Sequence, residues 1–431
     1  MNIQDKKVLI ISHNPLSRVN NNGKTLVSIF KGVPEENIYQ IYLNGDIPDY
    51  GEKCHYLQLN EKQIISSVIH RKNVCCKEIE ASADKVAAST IKLRNFGNHT
   101  KRLLRECVWK VAIWKSKLAE WLEDKQFDVV FFMAGDGMFA YDVYRHVMSH
   151  LEAKSCLFFT DDYIIGKTSR SPIAAIRRFL LKNKMKNTLK DTTELYVISE
   201  QMREAYREVF QMDSCVIRNF SVEKSADDPA FSGEAGSGCL TMVYAGGLHY
   251  NRWKVLNQIA EDLKEINSQG QAKCILKIYS AQNISSEILE KLNVEGGSEF
   301  CGGASASQIS EIYSKSDILL HVESFDKKAI ASTKYSFSTK IPEYLSADKC
   351  VLAVGPAEVA SISYLSNFAC TVSDSSKLSA ALAKVINDDD YRKSVEINCS
   401  KQYEKDFSQL KQRECLSRIF AVKQKALEGI I

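Results

Sequence analysis

The chain has 431 residues, of which 45% are hydrophobic and 26% charged, a composition that excludes the disordered and fibrous classes. Its formal net charge of +4 is too small to indicate a nucleic-acid binder, and no nucleic-acid partner is expected. The sequence contains no apolar stretch long enough to predict a membrane-spanning helix, and its length favours two domains.

The first residues of the sequence and its cysteines indicate the cellular compartment of the protein. Residues 1–7 run directly into a short apolar segment at 8–11, without the pattern of an export signal. The 13 cysteines are scattered without CxxC pairs, which favours a reducing compartment over a disulfide framework. We therefore expect a cytoplasmic protein.

Short β-branched or aromatic runs alternate with longer segments of helical period, which is typical of βαβ units and a mostly parallel sheet. In the first half, strands are predicted at 8–12, 129–133, 156–160 and 195–198, and a helix at 23–30. In the second half, strands are predicted at 240–245, 275–279, 318–322 and 351–354, and helices at 307–314, from 341 and at 376–386. Residues 55–100 show no clear period.

Turn-forming residues with little to bury separate the two halves. We therefore predict an amino-terminal domain at 1–220, a linker at 221–238, a second domain at 239–405, and a helix within 406–431 that packs back toward the first domain. Both domains are expected to be α/β and doubly wound, or Rossmann-like. Such domains bind ligands at the carboxyl ends of their strands, so a site is expected in a cleft that these ends face.

The most informative segment is 335–345. It predicts a helix that begins near Ile341, with Ser338 or Thr339 as its cap and a proline in the first turn. Amide groups at a helix start, together with hydroxyls and Lys340, can bind a diphosphate. Glu343 follows Thr339 by four positions, so its carboxylate could accept hydrogen bonds from a ribose on the same helix face. A merely well-capped helix with a surface glutamate is the alternative.

A second segment ends a buried strand with Gly246 and Gly247 and continues to Arg252 and Lys254. Glycines allow a ligand to approach the backbone closely, and cations balance phosphate charge. Gly-Gly turns near an arginine are common, however, so this pattern alone is weak.

Together, the two segments resemble the retaining GT-B glycosyltransferases, in particular family four and its relatives among bacterial polysaccharide and glycoconjugate enzymes. The resemblance extends to residues 216–219 and 351–356. It implies a hexosyltransferase whose second domain binds a nucleoside-diphosphate sugar as co-substrate, without a cofactor. Arg252 takes the position of a lysine that contacts the diphosphate, and Glu343 that of the ribose carboxylate. The implied donor-binding residues are Gly246, Gly247, Arg252, Lys254, Ser338, Thr339, Lys340 and Glu343.

The resemblance also implies that the first domain binds the acceptor, a glycan or a lipid-linked glycan, near the loop before Gly23. Asp136 and Asp162 follow predicted strands of this domain and are further acceptor-side candidates, although an aspartate at a strand end is often a cap. Catalysis is assigned to Arg252 and Lys340, because charge grows on the leaving diphosphate.

Two departures from the family pattern leave alternatives open. Tyr335 stands where the family usually has a glutamate, and Gly247 where an arginine is often found. A sugar-nucleotide epimerase of GT-B architecture and a catalytically silent GT-B subunit therefore remain alternatives.

Two patterns are not interpreted as sites. Gly23-Lys24-Thr25 resembles the end of a P-loop, but Arg18 occupies the position of its first glycine. Three aspartates at 388–390 fit the letters of a metal motif, but they precede a helical run and are interpreted as a cap. No metal site is predicted.

The segment 167–190 is basic and amphipathic. Its cations are Lys167, Arg170, Arg177, Arg178, Lys182, Lys184, Lys186 and Lys190, and it has no acidic residue. The interleaved apolar residues are Ile173, Ile176, Phe179, Leu180 and Met185. Peripheral contact with an anionic membrane is one interpretation, and a solvated helix face that covers the core is the other.

Overall fold

The computed structural model describes residues 2–18, 21–70, 76–82, 99–111, 114–166, 171–220, 238–270 and 273–421. The chain divides into two compact units. The first comprises Met1–Asn219 and Gln412–Ile431, and the second comprises Phe220–Lys411. The predicted linker at 221–238 lies outside the described residues except for Gly238.

The first unit is built around a single sheet. Its elements are β1 (Val8–Ser12), α1 (Asn21–Phe30), β2 (Ile38–Tyr42), β3 (His55–Gln58), α2 (Glu61–His70), β4 (Lys77–Ile79), α3 (His99–Val111), α4 (Trp114–Leu122), β5 (Val129–Ala134), α5 (Met138–Met148), β6 (Lys154–Phe159), α6 (Pro172–Leu189), β7 (Glu194–Val197), α7 (Glu200–Phe210) and β8 (Cys215–Val216). The strand order is β4-β3-β2-β1-β5-β6-β7-β8. All neighbours pair in parallel except β3 and β4, which are antiparallel.

The second unit repeats this architecture. Its elements are β9 (Cys239–Ala245), α8 (Arg252–Gln269), β10 (Lys273–Tyr279), α9 (Ser286–Leu292), β11 (Ser298–Gly302), α10 (Ala306–Ser314), β12 (Ile318–Val322), α11 (Lys327–Thr333), α12 (Ile341–Ser346), β13 (Cys350–Val354), α13 (Ala360–Leu365), β14 (Cys370–Val372), α14 (Leu378–Asn387) and α15 (Asp389–Asp406). The strands are parallel in the order β11-β10-β9-β12-β13-β14.

The last helix, α16 (Gln409–Phe420), ends within the first unit. The Gln412 amide donates hydrogen bonds to the carbonyl oxygens of Ile29 and Lys31, at 2.9 and 2.6 Å. Lys154 of β6 donates to the carbonyl oxygen of Arg418, at 2.9 Å. These bonds attach α16 to the first sheet and its helices.

The burial of the central strands is explained by their apolar composition. All residues of β1, β5, β12 and β13 are buried, as expected for parallel strands covered by helices on both faces. In α8, the residues that recur every three or four positions, among them Leu256, Ile259 and Leu263, are buried, which fixes the face that packs on the sheet. Each predicted strand is present, with its ends shifted by two residues at most.

The unassigned region 55–100 contributes β3, α2, β4 and the start of α3. Two of these are strands of four and three residues, which are too short to show a period. None of the helices within the described ranges is both long and apolar enough to cross a bilayer.

Candidate functional site

The carboxyl ends of β9 and β12 define a candidate site in the second unit. These two strands are neighbours at the centre of the sheet, and the chain leaves them toward opposite edges. Such a switch point is where doubly wound sheets bind ligands. The Gly246-Gly247 turn follows β9, and Glu323 follows β12.

The turn after β9 is held by a hydrogen bond from a tyrosine of that strand. The Tyr244 hydroxyl donates to the carbonyl oxygen of Gly247 at 2.7 Å. A Cβ atom added to Gly246 would lie 2.6 Å from this hydroxyl oxygen and 3.0 Å from Lys340 Nζ. Glycine is therefore needed here, because any side chain would displace one of these two groups.

Lys340 reaches the same turn from a different part of the chain. Its ammonium donates a hydrogen bond to the carbonyl oxygen of Ala245, the last residue of β9. The structure thus brings together Lys340, Gly246 and the end of β9, which lie almost one hundred positions apart in the sequence. The Lys340 ammonium therefore places a positive charge at the switch point.

Arg252, the first residue of α8, forms an ion pair with Glu323. Its Nη2 and Nε atoms lie 2.8 and 3.2 Å from Glu323 Oε2. The Arg252 side chain is 15% exposed and that of Glu323 is 5% exposed, so solvent screens the pair little. His321 Nε2 lies 3.5 Å from the other carboxylate oxygen of Glu323.

The pair shifts the pKa of both partners. Burial acts to raise the pKa of Glu323, but His321 and Arg252 outweigh it and lower the pKa overall. Burial acts to lower the pKa of Arg252, and the Glu323 carboxylate raises it instead. Both groups are therefore held in their charged forms.

Arg252 also contacts the turn after β9. Its Nη1 atom lies 3.1 Å from Nε2 of His249. The other ring nitrogen of His249, Nδ1, lies 3.3 Å from Nε2 of the Gln282 side chain. Gln282 Oε1 in turn accepts a hydrogen bond from the Leu248 amide at 2.6 Å. Polar contacts thus connect the turn after β9, the start of α8 and the loop after β10.

Lys254, also predicted to bind the donor, lies in a different pair. Its Nζ atom is 3.7 Å from Asp326 Oδ2, and its side chain is 53% exposed. Asn251 donates a hydrogen bond to the same carboxylate. An exposed and paired lysine is a weaker candidate for phosphate binding than Lys340.

The helix predicted near Ile341 is present as α12, but it has only six residues. The prediction that Ser338 or Thr339 caps it is wrong: the capping position is Lys340, whose side chain makes no capping bond. Thr339 therefore precedes the helix, and the argument that it shares a helix face with Glu343 does not hold.

The amides of this segment are also partly used. The Ser338 amide donates to Ser361 Oγ at 2.9 Å, and the Lys340 amide donates to Ser338 Oγ at 3.4 Å. The field of so short a helix is weak. Phosphate binding here would therefore depend on cations more than on the helix start.

Glu343 lies in the first turn of α12 and is half-buried. Burial raises the pKa of the neighbouring Tyr313 and Tyr344 hydroxyls most, and the charge of Glu343 contributes to the same shift. Tyr344 is in turn close to Tyr244. Glu343 therefore belongs to the surroundings of the Gly246 turn.

The acceptor-side candidates lie in the first unit. A Cβ atom at Gly23 in α1 would lie 2.5 Å from the carbonyl oxygen of Pro15 and 2.7 Å from the amide nitrogen of Ser17. Glycine thus permits the loop after β1 to pack against this helix. This is a structural reason for Gly23 that the sequence did not reveal.

Asp136, after β5, is paired with two arginines. Arg102 Nη1 and Arg177 Nη2 lie 2.6 and 3.0 Å from its Oδ2 atom. Arg177 was predicted within a basic surface segment, but its side chain is 6% exposed, so it faces inward. The Asp136 carboxylate serves to bring helices α3 and α6 together.

The Asp162 carboxylate accepts hydrogen bonds from the amides of Ile164, Ile165 and Gly166, at 3.0, 2.9 and 2.5 Å. The Tyr206 hydroxyl donates to it as well, at 3.2 Å. This carboxylate shapes the loop after β6. Its contacts correspond to the capping alternative that the sequence left open.

Sequence reasoning missed Glu323, and it left His321 open between a packed histidine and a ligand-site residue. The available signal was an acidic residue directly after the fully buried strand β12, since a buried carboxylate requires a cationic partner. The three aspartates at 388–390 are as interpreted: Asp388 caps α15 through the Tyr391 amide at 2.9 Å. Within the described ranges, no group of three histidine, cysteine or acidic side chains is arranged for a metal ion.

Comparison with known proteins identifies the fold. No protein-family model and no curated protein sequence matches the chain. Among solved structures, sucrose-phosphate synthase from Thermosynechococcus elongatus superposes with a TM-score of 0.59 at 11% identity, covering 96% of this chain and 98% of the other.

Two further structures give the same result. The E. coli trehalose-6-phosphate protein bound with UDP-2-fluoro glucose has a TM-score of 0.61 at 10% identity, with 97% and 99% coverage. HepE from Anabaena in complex with UDP has a TM-score of 0.59 at 12% identity, with 96% and 98% coverage. The fold is GT-B. The prediction of two Rossmann-like α/β domains of this type is confirmed.

Proposed function

We propose that the chain is a glycosyltransferase that moves a hexosyl group from a nucleoside-diphosphate sugar to a hydroxyl of a glycan or lipid-linked glycan. One observation carries the proposal: the Lys340 ammonium lies against the Gly246 turn, at the switch point of the second sheet. A close-approach glycine turn and a lysine together suit a diphosphate. The GT-B fold supports the same assignment by analogy.

In the proposed reaction, the bond between the anomeric carbon and the diphosphate oxygen breaks, and the nucleoside diphosphate leaves with the electron pair. The acceptor oxygen bonds to the anomeric carbon on the face from which the diphosphate left, so the configuration is retained. The acceptor proton passes to the leaving phosphate. This path needs no separate base, and it fits the resemblance to family four.

The proposed role of Lys340 is to stabilise the leaving diphosphate. Its ammonium is held at the end of β9 by the hydrogen bond to the carbonyl oxygen of Ala245. Arg252 adds a guanidinium held in place by Glu323. Because these groups are already positioned, they can oppose growing phosphate charge without reorganising, and we propose that no divalent metal takes part.

The proposed role of Glu343 is to accept hydrogen bonds from the donor ribose. Its half-buried position on α12, near Tyr344 and the Gly246 turn, supports this. The first unit is proposed to bind the acceptor. Asp136 and Asp162 are weaker candidates for acceptor contacts than the sequence predicts, since both carboxylates already accept internal hydrogen bonds.

A catalytically silent subunit that binds a nucleotide sugar is the second candidate. The pairing of Arg252 with a buried carboxylate favours it, because the carboxylate offsets part of the positive charge that leaving-group stabilisation requires. Tyr335, where the family usually has a glutamate, favours it too.

The test begins with a thermal-shift screen of nucleoside-diphosphate sugars. Uridine donors come first, since structures of HepE contain UDP or UDP-glucose. Donors that stabilise the protein are then incubated with glycan and lipid-linked acceptors, with and without EDTA, and the products are identified by mass spectrometry and NMR. Transfer with retention that survives EDTA supports the proposal. Donor binding without transfer or hydrolysis supports the silent subunit, and an epimerised donor contradicts both.

A further inference from the structure

One exposed helix face of the first unit carries more apolar surface than its surroundings. Of the described residues, eleven large hydrophobic side chains are exposed, and four of them lie on α6. They are Ile173, Ile176, Phe179 and Leu180, exposed by 39%, 55%, 64% and 42%. Single exposed hydrophobic residues are normal, whereas a contiguous group marks an interaction site.

The spacing places these four side chains together. They recur at intervals of three and four positions over the first half of α6, and residues at such intervals share a helix face. The buried side chains of the helix, which include Ala174, Leu181 and Met185, occupy the opposite face. Leu104, 62% exposed, lies on α3, which packs against α6.

The second half of α6 and the residue that follows it are basic. Lys186 and Lys190 are exposed, and Lys182 is half-buried. No acidic residue occurs anywhere in α6. Arg177 is buried and pairs with Asp136, and the half-buried Lys184 pairs with Asp142, so neither is counted in this face. The predicted Lys167 and Arg170 lie outside the described residues.

We propose that this face, termed here the α6 face and formed by Ile173, Ile176, Phe179, Leu180, Lys182, Lys186 and Lys190, docks on an anionic membrane surface. The apolar side chains enter the boundary between headgroups and acyl chains, and the lysines contact lipid phosphates. Helices that lie in a membrane interface combine these two features. The proposal depends on this surface alone and not on the glycosyltransferase reaction.

The combination of charge and apolarity favours a membrane over a protein partner. Lysine is depleted in the core of protein interfaces, whereas each lysine near an anionic leaflet attracts its lipids appreciably. A lysine side chain can also keep its charge in the headgroup layer while its stem lies along apolar groups. An acidic protein, or a second copy of this chain, would be the alternative occupant.

The experiment is co-sedimentation of the full chain with vesicles. Phosphatidylcholine vesicles that contain phosphatidylglycerol should retain the protein, and vesicles of phosphatidylcholine alone should retain much less. Phe179→Ser with Ile176→Ser should lower the partition coefficient at least about tenfold, since two apolar side chains no longer enter the membrane. Lys186→Gln with Lys190→Gln should lower it about fivefold for each charge removed.

Matched controls are available in the second unit. Ile397 is 54% exposed on α15, and Lys401 of the same helix is exposed. Ile397→Ser and Lys401→Gln should leave the partition coefficient unchanged. Thermal melting verifies that every variant is folded. We expect no loss of stability, because all the substituted side chains are on the surface.

Three results would overturn the proposal. One is wild-type protein that does not sediment with anionic vesicles. Another is a loss of sedimentation equal in the α6 and α15 variants. In the third, the wild-type chain does not bind vesicles but self-associates in ultracentrifugation, and Phe179→Ser with Ile176→Ser abolishes this self-association. That result would make the α6 face a protein interface.

Discussion

Glu323 holds Arg252 through two hydrogen bonds to one carboxylate oxygen, Oε2, and both side chains are largely buried. The pair joins the end of β12 to the start of α8 across the switch point of the second sheet. Its consequences for stability can be measured without knowing the substrate.

We expect Glu323→Ala to lower the free energy of unfolding by about 3–5 kcal/mol, because it leaves a buried guanidinium without its counter-ion. Denaturant titration of the wild type and the variant measures the difference. Glu295→Ala, an exposed glutamate in the same unit, is the control and should change little. The double variant Glu323→Leu with Arg252→Met should be more stable than Glu323→Ala, since no unpaired charge remains. If the double variant loses as much as the sum of Glu323→Leu and Arg252→Met made singly, the pair is not coupled.

The pH dependence of stability follows from the same pair. The pKa of Glu323 is lowered from 4.5 in the folded chain, so its contribution to stability is complete above about pH 4.5 and is lost as the pH falls toward the folded value. We expect the wild type to lose more unfolding free energy below that pH than Glu323→Gln, which cannot titrate. Urea titrations over an acidic pH series measure both. Parallel curves for the two proteins would mean that Glu323 does not titrate with a lowered pKa.

The fold was largely predictable because its central strands β1, β5, β12 and β13 are apolar runs of five or six residues that alternate with helical periods. The site was less so. Residues such as Gly246 and Lys340 could be selected from local pattern, but the partner of Arg252 could not. Glu323 follows it by 71 positions, and only the neighbouring positions of β9 and β12 in the sheet bring the two together. Likewise, the segment just before α12 is held by a hydrogen bond from the Ser338 amide to Ser361 in a different helix, which no local pattern reveals.

Gly246 offers a test of the turn itself. We expect Gly246→Ala to weaken nucleotide-sugar binding, because the new Cβ atom would lie 2.6 Å from the Tyr244 hydroxyl and must displace it or Lys340. Gly135→Ala is the control, since a Cβ atom there meets no atom within 4 Å. Calorimetry with a donor selected by thermal shift measures both affinities. Equal affinities in the two variants would place the donor away from this turn.

Glu343→Ala should weaken donor binding by about 1.5–3 kcal/mol, the range for hydrogen bonds to a charged group. A donor with a 2′,3′-dideoxyribose should lose little further affinity in this variant, because the hydroxyls that the carboxylate contacts are absent. Glu358→Ala, which removes an exposed glutamate of the same unit, is the matched control. Unchanged affinity in folded Glu343→Ala would remove the ribose assignment.

The catalytic assignment of Lys340 and Arg252 requires different variants for the two residues. Lys340→Met keeps the apolar stem and removes the charge. Arg252→Met alone would leave the buried Glu323 carboxylate unpaired, which would destabilise the unit and repel a diphosphate. Arg252 is therefore tested as Arg252→Met with Glu323→Gln, against Glu323→Gln alone.

We expect Lys340→Met to lower turnover at saturating donor by about a hundredfold, comparable to the loss of one preorganised stabilising group. The effect of removing Arg252 should be smaller, because Glu323 already offsets its charge. Turnover and donor affinity measured in the same variants separate the two roles: a group that acts on the transition state lowers kcat, and one that only holds the substrate lowers affinity. Weakened affinity with undiminished turnover would make Lys340 a binding residue. If neither quantity changes, the diphosphate does not bind at the end of β9.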